Sequence, residues 1–393
     1  MALYDWLSVE GGAAEAGRRS PDLDAIRAVA VLAVLAAHAY LLGGSAPPHT
    51  SRDPGDMLIN AGGQGIWLFF ALSGYLISGP FVRTLLRGEP LPPAGGYALR
   101  RAARIIPAYW IAFAAILVLL PVAGGLEWWQ VPLHGALLHN LVPGEGQALF
   151  FVAWTLGIEA LFYAFVPLAA LAVRRAAGPR PLHPRTLAVG VGALWLASIA
   201  WSAWAAAEYP NVGPFAAVAN ADVFRLSLPA LLSVFCPGIL MAVALDSGWR
   251  PRRPELLAAG ALAVGAVALY ANTTSSTVVL DLSRQVWAVA AGLALAAALA
   301  GWGRLRPLAR ALAPIGLVSY GLYLWHYVTV RVLEHEGVAV QAGALSWPLR
   351  AALVLAISVP LALASWLLVE RPLLRRTSLW WRRRSETPRP VAT

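Results

Sequence analysis

Residues 151–172 read FVAWTLGIEALFYAFVPLAALA, 22 positions in which Glu159 is the only charged side chain. As a helix this stretch rises about 33 Å at ~1.5 Å per residue, enough to cross a ~30 Å hydrocarbon core. A helix satisfies its own backbone polar groups there, where water is absent. Working outward, similar apolar blocks separated by polar breaks lie at about 24–43, 62–82, 105–124, 187–207, 227–245, 255–272, 284–301, 311–332 and 349–369. Together with 151–172 they predict an all-α, polytopic integral membrane bundle of about ten transmembrane helices.

The whole chain supports that reading. Of its 393 residues 59% are hydrophobic and 13% charged, about half the ~25% charged share of soluble domains. A soluble protein of two or three domains is excluded. The net charge of +10 invites a nucleic-acid partner, but all 30 basic residues are Arg and they sit in short clusters between apolar blocks. No basic stripe interleaved with exposed aromatics emerges, so no nucleic-acid partner is expected. Of the 30 Arg, 25 fall in alternate connections, leaving Arg52, Arg225, Arg284, Arg331 and Arg350 on the other side. The Arg-rich side is the cytoplasmic one, and an even number of spans returns both termini to it. The division is a cytoplasmic segment 1–21, a transmembrane domain 22–372 and an Arg-rich cytoplasmic tail 373–393, read as disordered or lying on the membrane surface. The N-terminus does not read as a cleaved signal peptide. One cysteine, Cys236, rules out an internal disulfide or a Cys-based metal cage and reads as a packing residue.

Charged groups at membrane depth are costly, so the few present mark where to look for function. The first span runs Leu23-Asp24-Ala25-Ile26-Arg27 and then apolar to His38. Eleven residues from Arg27 to His38 are close to three turns, which puts both on one face about 16 Å apart. Asp24, three residues before Arg27, can pair with it. His38 reads either as an interface histidine satisfied by neighbouring helices or as a general base, since imidazole titrates near neutral pH. Asp24 and Arg27 read either as a helix-end salt bridge or as part of the same site. Glu159 needs a partner: an ion pair, His38 itself or a polar substrate. Tyr320, Tyr323 and Tyr327 recur along one face with His326 beside it, either as an interfacial aromatic belt or as a stacking wall for a sugar ring. Arg100, Arg101 and Arg104 stand where a helix enters the membrane, facing anionic lipid or, through the i, i+3 pair Arg101 and Arg104, a phosphate.

In order along the chain these segments resemble the acyltransferase-3 family of integral membrane O-acyltransferases. Leu23-Asp24-Ala25-Ile26-Arg27 with His38 is similar to its first-helix signature. Gly65 to Ile77, GIWLFFALSGYLI, is similar to its second-helix run, and Arg101-Ala102-Ala103-Arg104 to its Arg-x-x-Arg motif. Trp154 to Tyr163, Ser319 to His326 and Val369-Glu370-Arg371-Pro372 resemble three later motifs, so the likeness covers about 22–375. The chain departs where the family often has Gly, at Ala25 and Ala28, and where it often has an acid, at Trp67.

The resemblance implies transfer of an acyl group, commonly acetyl, from acyl-CoA to a hydroxyl of a carbohydrate or glycosylated acceptor at the cell membrane. No permanently bound cofactor and no metal are expected; acyl-CoA is a donor substrate. It implies His38, Glu159, Asp24 and Arg27 as catalytic residues and Arg101, Arg104 and Arg100 as contacts for the donor. Trp154, Tyr163, Tyr323 and His326 are the substrate-binding candidates. A transporter or flippase of a glycolipid is the competing class, but the two matching halves with broken helices that such folds often show are not found in the sequence.

Overall fold

The computed structural model describes Tyr4 and residues 20–43, 50–121, 125–210, 221–274, 276–338 and 346–386. Among them there is no strand. Helix α1 (Pro21–Ala39) begins where Ser20 Oγ accepts the Asp22 N–H at 3.2 Å, with Pro21 and two acids in the first turn. Helices α2 (Pro54–Gly63) and α3 (Ile66–Arg87) make one long span, which Gly88 ends in the left-handed conformation at φ 69°. Then come α4 (Ala94–Leu119), the short α5 (Gln130–Gly135), α6 (Ala153–Ala177) and α7 (Pro184–Glu208). The turn α8 (Ala221–Arg225) leads into α9 (Leu228–Asp246), followed by α10 (Pro254–Ala271) and α11 (Thr277–Leu299). Ser227 and Ser276 cap α9 and α11 through their hydroxyls. Helices α12 (Arg306–Leu317), α13 (Ser319–His335) and α14 (Trp347–Ser365) precede a π turn at Trp366–Glu370 and α15 (Arg371–Glu386).

Eight helical segments among the described residues are long and apolar enough to cross a membrane, or nine when α12 and α13 count as one. The 19-residue α1, charged at Asp22, Asp24 and Arg27, supplies the remaining counterpart of the sequence-read spans. Two expectations change. The block 311–332 is not one helix, because α12 and α13 meet at 67° around Val318, just after Pro314 and Gly316 weaken the helix. Of the two readings of the tail, disorder gives way over 373–386 to helix α15, and the membrane-surface reading is left open. Arg18, Arg19, residues 122–124 of the third span and the tail beyond 386 lie outside the described residues.

The outer face of the bundle is apolar: Val118 is 82% and Leu262 77% exposed, as a lipid-facing surface requires. Helices α3 and α9 form the middle, where bulky side chains give way to small ones. A Cβ on Gly238 would collide with the Ala71 carbonyl, and one on Gly74 with that of Phe235. Such close backbone approach drives association where lipid removes any hydrophobic drive. Phe162 stacks on Phe235 beside it at 3.9 Å between ring centroids. The charged α1 is also central, touching α2, α3, α11, α12, α13 and α14, so that protein rather than lipid surrounds its ionic groups. Gly316 lets α12 press directly on the Asp24 backbone.

Candidate active site

At the start of α1 the spacing does what it predicts. The Arg27 guanidinium donates to Asp24 Oδ1, and the Tyr4 hydroxyl donates to Asp24 Oδ2 at 2.7 Å. Asp24 is 2% exposed, so this pair lies inside the protein.

Helix α4 brings its arginines to the same interior. Arg101 Cζ lies 5.9 Å from the Tyr97 ring centroid and 5.8 Å from that of Tyr163, and its buried Nε has no hydrogen-bond partner. Among the described residues neither Arg101 nor Arg104 forms a salt bridge. Arg104 is within electrostatic reach of Arg27, Tyr163 and Glu370. Arg100 precedes them, partly buried. Arg101 and Arg104, which form no salt bridge among the described residues, are suited to meet an anion.

Glu159 finds hydroxyl partners. Its Oε1 accepts from Ser73 Oγ and from the Tyr163 hydroxyl, each at 2.6 Å. It therefore anchors the ring under Arg101 and makes no hydrogen bond to His38. Glu370, 3% exposed in the π turn, accepts from Ser365 Oγ at 3.0 Å.

His38 meets a second histidine instead. Its Nδ1 lies 3.0 Å from His326 Nε2, and His326 Nδ1 lies 3.1 Å from the Leu322 carbonyl oxygen. His326 is fully buried, whereas His38 is only partly so. Phe151 and Tyr327 meet the His38 ring edge-on at 6.1 and 6.0 Å between centroids.

Phe151 comes from the connection between α4 and α6, which folds over this end of α1. That connection is held by polar residues the sequence reading did not single out. His134 Nε2 lies 3.0 Å from Glu145 Oε2, Gln130 Nε2 donates to Glu145 Oε1 at 3.0 Å, and Tyr109 of α4 donates to the His134 carbonyl at 2.8 Å. His139 stacks flat on His134 at 4.5 Å. Burial lowers the His134 pKa against the opposing pull of Glu145, and burial with the neighbouring His134 lowers that of His139 to about 3. Both rings are thus neutral at pH 7.

The remaining candidates are interior packing and hydrogen-bonding groups. Trp154 packs against Phe70 at 6.3 Å, and its carbonyl accepts from Asn140 Nδ2. The Tyr323 hydroxyl donates to the Val152 carbonyl at 3.0 Å and shares a 2.8 Å hydrogen bond with Thr155. Tyr320 donates to the Ile105 carbonyl. These two tyrosines tie helices together inside the bundle. Ser73 and Glu370, both within quoted motifs, are two more polar residues that sequence reading left without a role.

Fold and site together define a polytopic membrane enzyme. The chain belongs to the acyltransferase-3 family, whose acyltransferase domain matches residues 20–367, and such a protein transfers acyl groups. It is 26% identical over 396 residues to Nodulation protein 10 of Rhizobium leguminosarum bv. viciae, covering 93% of this chain and 96% of that one. It is likewise 26% identical over 338 residues to the exopolysaccharide production protein ExoZ of Rhizobium meliloti (strain 1021), covering 80% and 90%. No solved structure matches it.

Proposed function

We propose that the protein moves an acetyl or other short acyl group from acyl-CoA to a hydroxyl of a carbohydrate or glycosylated acceptor, with His38 as general base. The observation that carries this reading is the pairing of two features in one interior: Arg101 and Arg104, which form no salt bridge among the described residues, at one end of α1, and a histidine three turns along it. Acyl-CoA matches both, being a polyphosphate with a thioester on a long thin arm. Arg101 and Arg104, with Arg100 nearby, take the phosphates. Arg27, held by Asp24, lies along the route of the arm, and Glu159 fixes Tyr163 beneath Arg101.

In the chemical step His38 takes the proton of the acceptor hydroxyl while its oxygen attacks the thioester carbonyl carbon. The C–S bond breaks, the imidazolium returns the proton to the thiolate, and the products are an ester and CoA thiol. The name of ExoZ, a protein of exopolysaccharide production, favours a carbohydrate acceptor; a lipid-linked sugar or a glycosylated secondary metabolite fits the same chemistry. The arginine asymmetry supports an orientation in the cell membrane with both termini, and the donor end of the site, on the cytoplasmic side.

Mass spectrometry of surface glycans and secreted metabolites from strains with and without the gene tests this. Loss of one acyl mass on deletion supports the reading and names acceptor and acyl group together; unchanged masses contradict it.

A further inference from the structure

Resting on the assignment of His38 as base, we infer that His326 is the residue that positions it. His326 keeps the proton on His38 Nδ1 and leaves the Nε2 lone pair of His38 for the acceptor hydroxyl.

A backbone carbonyl oxygen only accepts, so His326 Nδ1, 3.1 Å from the Leu322 carbonyl, carries a proton. In a neutral imidazole the other nitrogen is then bare, and His326 Nε2 accepts across the 3.0 Å contact to His38 Nδ1. His38 Nδ1 therefore carries its proton, and Nε2 is the basic nitrogen. Catalysis needs one tautomer: with the proton on Nε2 the ring would present a donor where a base is required.

The surroundings hold this arrangement. Leu322 is one turn before His326 on α13, so the helix itself fixes the orientation of the buried ring. Tyr323 packs at 5.6 Å on His326, while Phe151 and Tyr327 restrain the His38 ring edge-on. His326 is not the base, because both its nitrogens are engaged and none of its surface is exposed. The bland alternative is a buried histidine that merely satisfies its hydrogen bonds and packs two helices.

Two substitutions separate these roles. In His326→Gln the amide oxygen accepts from His38 Nδ1 and the amide NH₂ donates to Leu322; His326→Phe fills the space with no acceptor. Purified variants in proteoliposomes are assayed with acetyl-CoA and envelope glycans from a strain lacking the gene, and the His38 ring is read by ¹⁵N NMR of histidine-labelled protein. His326→Gln is expected to retain kcat within about tenfold and the Nδ1–H signal. His326→Phe is expected to lose ~10²-fold or more in kcat, with the acetyl-CoA KM unchanged and the Nδ1–H signal lost. The inference is overturned if His326→Phe retains kcat, or if His38 keeps its Nδ1 proton in that variant. His38→Ala run alongside separates the two ideas: activity there contradicts the base assignment, whereas an inactive His38→Ala with an active His326→Phe contradicts only the positioning role.

Discussion

His38 on α1 and His326 on α13 join through a 3.0 Å contact between ring nitrogens, although 288 positions separate them in the chain. The contact forms where α13, turned by 67° relative to α12, packs against α1. A straight ninth span would carry His326 along a different line, so the bend near Val318 is part of how the site is built.

The donor end predicts a selective effect of charge. Arg101→Ala and Arg104→Ala are each expected to raise the acetyl-CoA KM about 10- to 100-fold, the value of a charged hydrogen bond. Acetyl-pantetheine carries the same thioester without the nucleotide phosphates. Steady-state assays with both donors check this, because the substitutions leave turnover of the truncated donor nearly unchanged.

Packing at the centre predicts a difference between two glycines. Gly238→Ala drives a methyl into the Ala71 carbonyl, whereas a Cβ at Gly192 on α7 meets nothing within 4 Å. Overpacking of this kind costs about 1–3 kcal/mol. Thermal unfolding in detergent therefore shows a lower Tm for Gly238→Ala and a near-unchanged Tm for Gly192→Ala.

The connection over His38 predicts acid sensitivity. His134 and His139 have folded pKa values below the ordinary 6.5, so the unfolded chain binds more protons. Their contribution to stability is full above pH 6.5 and falls as pH drops below it. Tm measured from pH 7 to pH 5 decreases, and His139→Leu, which removes one of these titrating rings, shows a shallower decrease.

Much of this was legible in sequence for a physical reason. Hydrocarbon demands long uninterrupted apolar blocks, so the spans could be counted, and the i, i+3 spacing of Asp24 and Arg27 announced their ion pair. The bend at Val318 was hidden by the apolar character of residues 311–332, although Pro314 and Gly316 mark where the helix weakens and Gly316 packs on the Asp24 backbone. The partner of Glu159 was open among an ion pair, His38 and substrate; folding chose Ser73 and Tyr163, residues whose hydroxyls carry no charge to draw the eye. The polar contacts of His134, His139 and Glu145 were not legible in sequence, since their burial arises only when the connection closes against α4.

The central claim is that the imidazole of His38 takes the acceptor's proton. Turnover of purified His38→Ala in proteoliposomes, with acetyl-CoA and envelope glycans of a gene-deleted strain, tests it most directly. A fall in kcat of ~10²–10⁴-fold is expected, with the acetyl-CoA KM held by the distant arginines. Acyl transfer at the wild-type rate by a folded His38→Ala protein would contradict it.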